Sequence, residues 1–226
     1  MTEPGRIRDT RNLGPASERM LAAIGIASPA ELRVVGADEA FRRLAARGEA
    51  SRTMLHAMEG ALSDRDWRDV AADPVRIVPA ERRHAEACAA ILDAWIDEND
   101  WMPRLHDAES VRWFVGDVLF AERRVRVALE GGRPVGFLAL DEAEGFVAAL
   151  YLARAARGRG IGKRLLDEAK AARPAGLRLW TFLPNGAARR FYAREGFTEV
   201  RRTAGDNEEG VPDVLLEWLF DPAAAI

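Results

Sequence analysis

Apolar positions up to about residue 73 recur at the three- and four-residue spacing of amphipathic helices, and this stretch lacks the alternation typical of strands. The pattern predicts four helices, within ASERMLAAI, after Ser28, within ADEAFRRLAARG and within SRTMLHAMEGAL. Ser28, Pro29 and Glu31 follow the order of an N-cap, a first-turn proline and the end of a capping box. The residues expected to form the core are Leu13, Met20, Leu21, Ile24, Leu32, Phe41 and Leu44.

From Val75 onward, strand-like and helix-like segments alternate. Strands are predicted in VRIVP, in a hairpin VRVALEGGRPVGFLAL that turns at Gly131–Gly132, and in EGFVAALYLA, GLRLWTFL, FTEVRRT and VPDVLLEWLF. Helices are predicted in ERRHAEACAAILDAWIDE, SVRWFVGDVLFAE, RGIGKRLLDEAKAA and NGAARRFYAREG. The fold class is therefore α/β (α+β), a mixed sheet with flanking helices preceded by a small all-helical domain.

The change of pattern falls in the segment AADP, residues 71–74, where we place a linker. Pro74 disfavours helical geometry at Asp73, so we expect a domain over residues 1–73 and a second over 74–226.

Composition narrows the classes of function. The 226 residues carry a net charge of −3, which argues against a general binder of nucleic acid or of anionic membranes. One cysteine, Cys88, lies in a helical apolar pattern and fits a reducing cytoplasm. The first residues lack the apolar core of a signal peptide, and apolar runs of about 20 residues are absent. We expect a cytoplasmic protein without membrane contact.

The segment RGRGIGK, residues 157–163, lies between a predicted strand and a predicted helix. It lacks the first glycine and the hydroxyl of a Walker A loop, and it lacks the glycine spacing of a dinucleotide-binding turn. Glycines before a helix still let several backbone N–H groups approach one ligand, and the helix dipole favours an anion there. This arrangement suits a pyrophosphate.

The pattern RxxGxG that follows VAALYLARAA resembles motif A of the GNAT superfamily of N-acetyltransferases. The segment NGAARRFYAREGF, residues 185–197, resembles motif B of the same family, and the element order from Val75 to Phe220 also matches. The resemblance implies acetyl-CoA as co-substrate, without a metal. It implies that the backbone at Leu150 and Leu152 contacts the pantetheine arm or the thioester carbonyl. The loop residues implied to bind the coenzyme are Arg157, Gly158, Arg159, Gly160, Ile161, Gly162 and Lys163.

The same resemblance suggests two catalytic residues. Tyr192 would donate a proton to the departing thiolate, and its alternative role is a core contact beside Phe191. Asn185 would orient the pantetheine or a water molecule, and its alternative role is the N-cap of the motif B helix.

The general base is left open by the sequence. Many family members carry a glutamate in the motif A strand, whereas FVAALYL contains no carboxylate. Glu144, Glu208, Glu209 and a water relay are alternatives, and the glutamates equally suit solvated loops.

In the family's layout, the loop NDWMPRLH borders the acceptor site, although a simple connector between two helices fits the same residues. Trp101 and Met102 could wall the pocket, Arg104 could bind a carboxylate, and His106 could shuttle a proton. With Glu208 and Glu209, these residues are the expected substrate-binding set. Cys/His clusters are absent from the sequence, so a metal site is not expected.

The N-terminal helices resemble the C-terminal domain of TfoX-type competence regulators, through Leu13-Gly14-Pro15, Ile24-Gly25-Ile26, Gly60-Ala61-Leu62 and Trp67. The pattern is also similar to a helix-hairpin-helix, a motif that can contact DNA phosphates. Residues 1–75 contain 11 arginines and 12 acidic residues, so we favour docking to a protein or within the chain over contact with nucleic acid.

These observations predict an N-acetyltransferase that moves the acetyl group of acetyl-CoA to a primary amine of a small molecule or protein. The alternative is a regulator whose GNAT domain senses acyl-CoA while the helical domain binds a protein partner or DNA. A homodimer is left open.

Overall fold

A computed structural model provides the structure of the protein, and it describes residues 5–219. The chain divides into two compact units, which meet in the sequence between Pro74 and Val75. Independent folding of two domains stays a prediction. Within the described residues, the helices are too short or too polar to cross a membrane.

The N-terminal unit consists of helices. A short 3-10 turn, Ile7–Asp9, precedes α1 (Pro15–Ala22), α2 (Pro29–Val35), α3 (Ala37–Ala46), α4 (Arg52–Ser63) and α5 (Trp67–Ala72). The four predicted helices are present. The fifth helix, α5, was missed because it has only six residues. Its start is stabilised by Asp66, which accepts a hydrogen bond from the Arg68 N–H at 2.8 Å. Since α5 includes Ala71 and Ala72, our linker assignment was wrong for these two residues.

The core of the N-terminal unit follows the helical spacing. Four of the seven expected core residues are buried and three are partly buried: Leu13, Leu21, Leu32 and Leu44 in the first group, Met20, Ile24 and Phe41 in the second. Ser28 caps α2 by accepting a hydrogen bond from the Glu31 N–H at 3.2 Å. The return bond of the expected capping box differs, because the Glu31 carboxylate accepts from the Ala27 N–H rather than from Ser28.

The C-terminal unit contains one seven-stranded sheet of order β1-β2-β3-β4-β5-β7-β6. Its strands are β1 (Val75–Pro79), β2 (Arg124–Glu130), β3 (Arg133–Asp141), β4 (Phe146–Leu152), β5 (Leu177–Phe182), β6 (Thr198–Thr203) and β7 (Asp213–Trp218). Its helices are α6 (Ala85–Asp97), α7 (Ala108–Trp113), α8 (Phe120–Glu122), α9 (Ile161–Ala172) and α10 (Gly186–Arg194). The expected α/β class with a mixed sheet is confirmed. The final predicted strand extended to Phe220, which lies outside the described residues.

The helix predicted in SVRWFVGDVLFAE is not a regular α-helix throughout. A wider π-helical segment, Phe114–Leu119, joins α7 to α8. Val115 and Leu119 are buried in this segment and pack on the sheet, so the local geometry still meets the requirement for an apolar face.

Each face of the sheet packs on helices and forms its own core. Strand β3 shows the cause, because successive side chains of a strand point to opposite faces. Leu138 and Leu140 belong to the core that contains residues of α9 and α10, whereas Phe137 and Ala139 belong to the core that contains Cys88 of α6. Burial raises the pKa of the Cys88 thiol to about 12, so this cysteine is an unreactive core residue.

The sheet opens between β4 and β5. These two strands are parallel, and they pair only at Phe146 and Arg178. The Arg178 N–H donates to the Gly145 carbonyl at 2.8 Å beside this pair. Beyond it, both strands continue without further pairing. The sheet therefore has unpaired strand edges at a gap in its middle as well as at its two outer sides.

Candidate active site

The open edge of β4 presents backbone groups to the gap. The Ala153 N–H donates to the Val135 carbonyl of β3 at 2.9 Å, and backbone direction alternates along a strand. The N–H groups of Leu150 and Leu152 therefore point away from β3 and toward the gap. A β-bulge between β3 and β4 lies just before these residues and bends the strand. This edge can pair with an extended ligand, as expected for the predicted contact with the pantetheine arm.

The glycine-rich loop ends directly at the start of α9. Gly158 and Gly160 have φ values of +73° and +78°, a conformation that favours glycine. Gly160 is the N-cap residue of α9 and provides no side-chain cap, so the first N–H groups of the helix are available to a ligand. A Cβ on Gly162 would lie 3.3 Å from Leu152 Cδ1 and 3.6 Å from Phe191 Cζ. Glycine at this position allows the helix start to approach β4 closely.

The cationic side chains of this loop are paired within the protein. Arg159 binds Glu130 through two hydrogen bonds of 2.5 and 3.0 Å, and this contact lowers the pKa of the Glu130 carboxyl. Lys163 binds Asp167 at 2.8 Å, which raises the pKa of the lysine. An anion at this turn would thus be held chiefly by backbone N–H groups and the helix dipole.

Arg157 has a structural role in the same loop. Its Nε donates to the Leu152 carbonyl at 3.0 Å, and its guanidinium lies 2.7 Å from a carboxylate oxygen of Glu98, which follows α6. The side chain therefore ties the end of β4 to α6, and it fixes the position of the loop.

Tyr192 lies on α10 and is only 7% exposed. Its ring packs against Phe191 and Phe197, with centroid distances of 5.1 and 5.5 Å. Burial, together with the nearby Tyr151, raises its pKa above the ordinary value of 10, so the hydroxyl is protonated at neutral pH. Among the described residues, this hydroxyl has no hydrogen-bond partner, which leaves it able to donate to a ligand.

Asn185 caps α10, because its Oδ1 accepts a hydrogen bond from the Ala188 N–H at 3.0 Å. This contact is the alternative role expected from the sequence. The side-chain nitrogen is the part of Asn185 that could still orient a ligand, and the catalytic role stays a prediction.

The α6–α7 loop joins an aromatic cluster in the middle of the sheet. Trp101 contacts Trp95 and Phe182 at centroid distances of 5.7 and 5.6 Å, and Trp95 contacts Tyr151 of β4 at 5.2 Å. Met102 is partly buried at the adjacent turn.

Arg104 closes the same loop onto α6. Its guanidinium binds Asp97 and Asp93, with shortest distances of 2.5 and 2.9 Å, and both contacts raise its pKa. Because these carboxylates occupy it, the geometry does not support the expected role of Arg104 as a ligand for a substrate carboxylate.

The β6–β7 loop carries the two glutamates of the expected substrate-binding set. Glu208 binds His106 at 3.0 Å and so connects this loop to the α6–α7 loop. Burial of Tyr151, with a further contribution from the negative charge of Glu209, raises the pKa of this tyrosine to about 12. Glu209 is therefore close enough to β4 to influence groups in the gap.

A cavity of about 520 Å³ lies where β5, β6 and β7 meet this loop. Its lining residues are Trp180, Thr181, Phe182, Arg201, Arg202, Thr203, Asp206, Asn207, Glu209 and Asp213. Of the six expected substrate-binding residues, Glu209 alone lines this cavity. Sequence reasoning missed the other lining residues because the strand order β5-β7-β6 brings them together.

Asp213 holds the β6–β7 loop in place from a buried position. It accepts one hydrogen bond from the Thr203 hydroxyl and a second, at 3.0 Å, from the Asn207 amide. Thr203 in turn accepts from the N–H groups of Gly205 and Asp206 at 3.1 and 3.2 Å. The loop is thus preorganised beside the cavity. Residues 5–219 contain no group of three or more His, Cys, Asp or Glu side chains arranged to hold a metal ion.

A mixed sheet that opens between two parallel strands beside a glycine-bearing helix start defines an acyltransferase of the GNAT fold, and comparisons with known proteins agree. Residues 121–199 match the family model of the acetyltransferase (GNAT) domain, and residues 3–74 match that of the TfoX C-terminal domain. The chain is 30% identical over 132 residues to the peptidyl-lysine N-acetyltransferase YiaC of Escherichia coli (strain K12). The aligned region covers 57% of this chain and 88% of YiaC.

Two solved structures share the fold. The apo form of YjaB from Escherichia coli gives a TM-score of 0.54 at 24% identity, over 65% of this chain and 99% of YjaB. The second is YncA from Salmonella typhimurium, a putative acetyltransferase solved with acetyl-CoA. It gives a TM-score of 0.51 at 20% identity, over 66% of this chain and 96% of YncA. The chain belongs to the GNAT family, and it is an acetyl-CoA-dependent N-acetyltransferase. Both resemblances inferred from the sequence are confirmed.

Replacement of Gly162 by aspartate should abolish coenzyme binding. The new side chain would crowd Leu152 and Phe191 and would place a negative charge beside the helix start, so we expect the Kd for acetyl-CoA to rise on the order of 100-fold or more. Isothermal titration calorimetry measures this change.

Gly162→Asn is the matched control, since it adds nearly the same bulk without a charge and should weaken binding less. Thermal unfolding of both variants verifies that they are folded. Unchanged affinity in a folded Gly162→Asp protein would mean that the coenzyme binds elsewhere.

Proposed function

We propose that the protein transfers the acetyl group of acetyl-CoA to a primary amine that binds in the cavity between β5, β6, β7 and the β6–β7 loop. The observation that carries this proposal is the gap between β4 and β5. The amides of Leu150 and Leu152 point into this gap, and Tyr151 of the open strand interacts electrostatically with both Glu209 and Tyr192, which supports roles for these two residues there.

The coenzyme would bind along the open edge of β4, with its pyrophosphate at the start of α9. The N–H groups of residues 158–163 suit the anion because this helix start has neither a side-chain cap nor an acidic residue in its first turn. Acetyl-CoA supplies an activated acetyl group as a thioester. The N–H of Leu150 or Leu152 would donate a hydrogen bond to the carbonyl oxygen as negative charge develops on it.

Tyr192 would serve as the proton donor to the departing sulfur. A donor must hold its proton at the working pH, and the raised pKa of Tyr192 meets this requirement through neutral and mildly basic conditions. Its free hydroxyl and its buried ring, fixed between two phenylalanines, favour one well-defined direction for the transfer.

Glu209 would accept the proton of the acceptor amine. An alkyl ammonium has a pKa of about 10, so at neutral pH a base must remove its proton before attack. Glu209 lines the cavity, and its charge reaches Tyr151 on the open strand. Glu208 suits this role less well because it is held by His106.

A lysine side chain of a protein is the second candidate acceptor. The relative YiaC carries the name peptidyl-lysine N-acetyltransferase, and the identity of 30% supports a related acceptor for this chain. The comparisons lend no support to the alternative of a regulator that only senses acyl-CoA.

Steady-state assays of coenzyme A release with a panel of small primary amines and end-capped lysine peptides test the proposed function. We expect release to depend on the amine, with a matching N-acetyl product seen by mass spectrometry. Coenzyme A release at one rate with every amine, without acetylated product, would indicate hydrolysis and contradict the proposal.

Tyr192→Phe should lower kcat on the order of 100-fold while the Kd for acetyl-CoA stays unchanged, because only the hydroxyl is lost. Stopped-assay kinetics and calorimetry separate these two effects. Tyr151→Phe is the informative comparison, since the chain has only two tyrosines. A larger loss of kcat in Tyr151→Phe than in Tyr192→Phe would indicate that Tyr151 is the proton donor instead.

Glu209→Gln should lower kcat on the order of 100-fold at neutral pH, since a base is removed without a change of size. The rate of this variant should then rise about tenfold per pH unit below the amine pKa of about 10, because free amine becomes the reactant. Glu208→Gln is the control and should mainly affect KM. Equal losses in both variants would argue against a specific role for Glu209.

A further inference from the structure

The cavity that the proposed function assigns to the acceptor contains an arginine with no assigned role. Resting on that proposed function, we propose that the acceptor is an ω-amino acid, whose carboxylate binds Arg201 while its terminal amine lies beside Glu209.

Arg201 differs from its neighbours in its ionic contacts. Its guanidinium lies over the ring of Trp180, 5.1 Å from the ring centroid, in the wall of the cavity. Within residues 5–219, no carboxylate forms an ion pair with it. By contrast, the adjacent Arg202 and the nearby Arg189 both bind Glu199, at 2.5 and 2.8 Å. Arg201 therefore contributes positive charge to the cavity that the protein itself does not neutralise.

The contact with the Trp180 ring also restrains Arg201 for recognition of a carboxylate. A guanidinium that lies on an aromatic face keeps its N–H groups at the edge of its plane. Two of these N–H groups match the spacing of the two oxygens of a carboxylate, and such bidentate contacts are among the strongest hydrogen bonds in proteins. Trp180 thus limits the conformations of the arginine side chain before a ligand arrives.

The opposite charge lies at the other end of the cavity. Asp206 and Glu209 belong to the β6–β7 loop and line the same cavity. Asp213 also lines it, but Thr203 and Asn207 already occupy its oxygens. The loop end of the cavity therefore attracts an ammonium group, and the strand end attracts an anion.

The sheet register separates the row that contains Arg201 from the row that borders the loop. Thr203 pairs with Asp213, which pairs with Phe182, and this row borders the loop. Arg201 pairs with Leu215, which pairs with Trp180, in a row two residues further along the strands. Two residues of a strand span about 7 Å. An extended five-carbon chain between a carboxylate and an amine has a similar length, whereas an α-amino group is too close to its carboxylate to span both rows.

A matched pair of acceptors tests the proposal. 6-Aminohexanoate and 6-aminohexanamide have the same chain and the same amine, but only the first carries a carboxylate. We expect kcat/KM to be about 10- to 100-fold higher for 6-aminohexanoate, the usual effect of a hydrogen-bonded charged group. Arg201→Gln should remove this preference by lowering the value for the carboxylate alone, and Arg201→Lys should restore part of it.

Arg194→Gln is the matched control, because Arg194 is an exposed arginine at the end of α10 that does not line the cavity. It should keep the full preference. Thermal unfolding of each variant shows whether it is folded, and Arg201→Lys keeps the test valid if Arg201→Gln is not.

Calorimetry with the protein saturated with coenzyme A separates this proposal from the proposed function. Binding of 6-aminohexanoate that depends on Arg201 would support the carboxylate site even if no amine were acetylated, in which case the proposed function alone fails. Equal binding and turnover of acid and amide would overturn the proposal. So would an end-capped lysine peptide that reacts as well as 6-aminohexanoate, or a preference that survives in folded Arg201→Gln.

Discussion

The single residue pair that joins β4 to β5 is the constraint on which the site depends. Backbone N–H groups inside a sheet are normally paired, and an unpaired group that is also removed from water is costly. Beyond Phe146 and Arg178, the facing edges of these strands lack such pairing and must be satisfied by solvent or by a ligand. The fold thus keeps two stretches of backbone available at its centre, where a long, flexible ligand with several amide groups can replace water.

Small residues make this opening geometrically compatible with a packed core. A Cβ on Gly136 would lie 2.2 Å from Leu152 Cδ2, so glycine on β3 leaves the room that the end of β4 requires. Gly162 does the same on the other side of Leu152. Leu152 is therefore held between two glycines while its carbonyl accepts from Arg157. The position of the open edge is set by packing, and the N–H groups of Leu150 and Leu152 stay free for binding.

The sequence predicts the coenzyme side of the site better than the acceptor side, and the reason is physical. The loop over residues 157–163 and the strand before it are contiguous, so a local pattern contains the whole feature. The cavity, in contrast, joins Trp180, Arg201 and Asp213 across three strands that are neighbours only because β7 inserts between β5 and β6. Arg104 illustrates a further difficulty, since its type suggested a ligand contact while Asp93 and Asp97, one turn apart on α6, already bind it.

Charge on the two sides of the site follows different rules. At the coenzyme side, Arg159 and Lys163 are neutralised by Glu130 and Asp167, so the amides of a helix start provide the attraction for an anion. On the acceptor side, Arg201 and Glu209 have no such ion pairs among the described residues. A ligand of opposite charge can bind these groups without breaking an internal ion pair, and the preorganised loop already holds them beside the cavity. The free-energy cost of binding is therefore lower than for charged groups that are paired within the protein. The acceptor side is therefore where selectivity for a particular amine is expected to arise, because direct charge recognition there depends on the distance between charges and not on backbone shape.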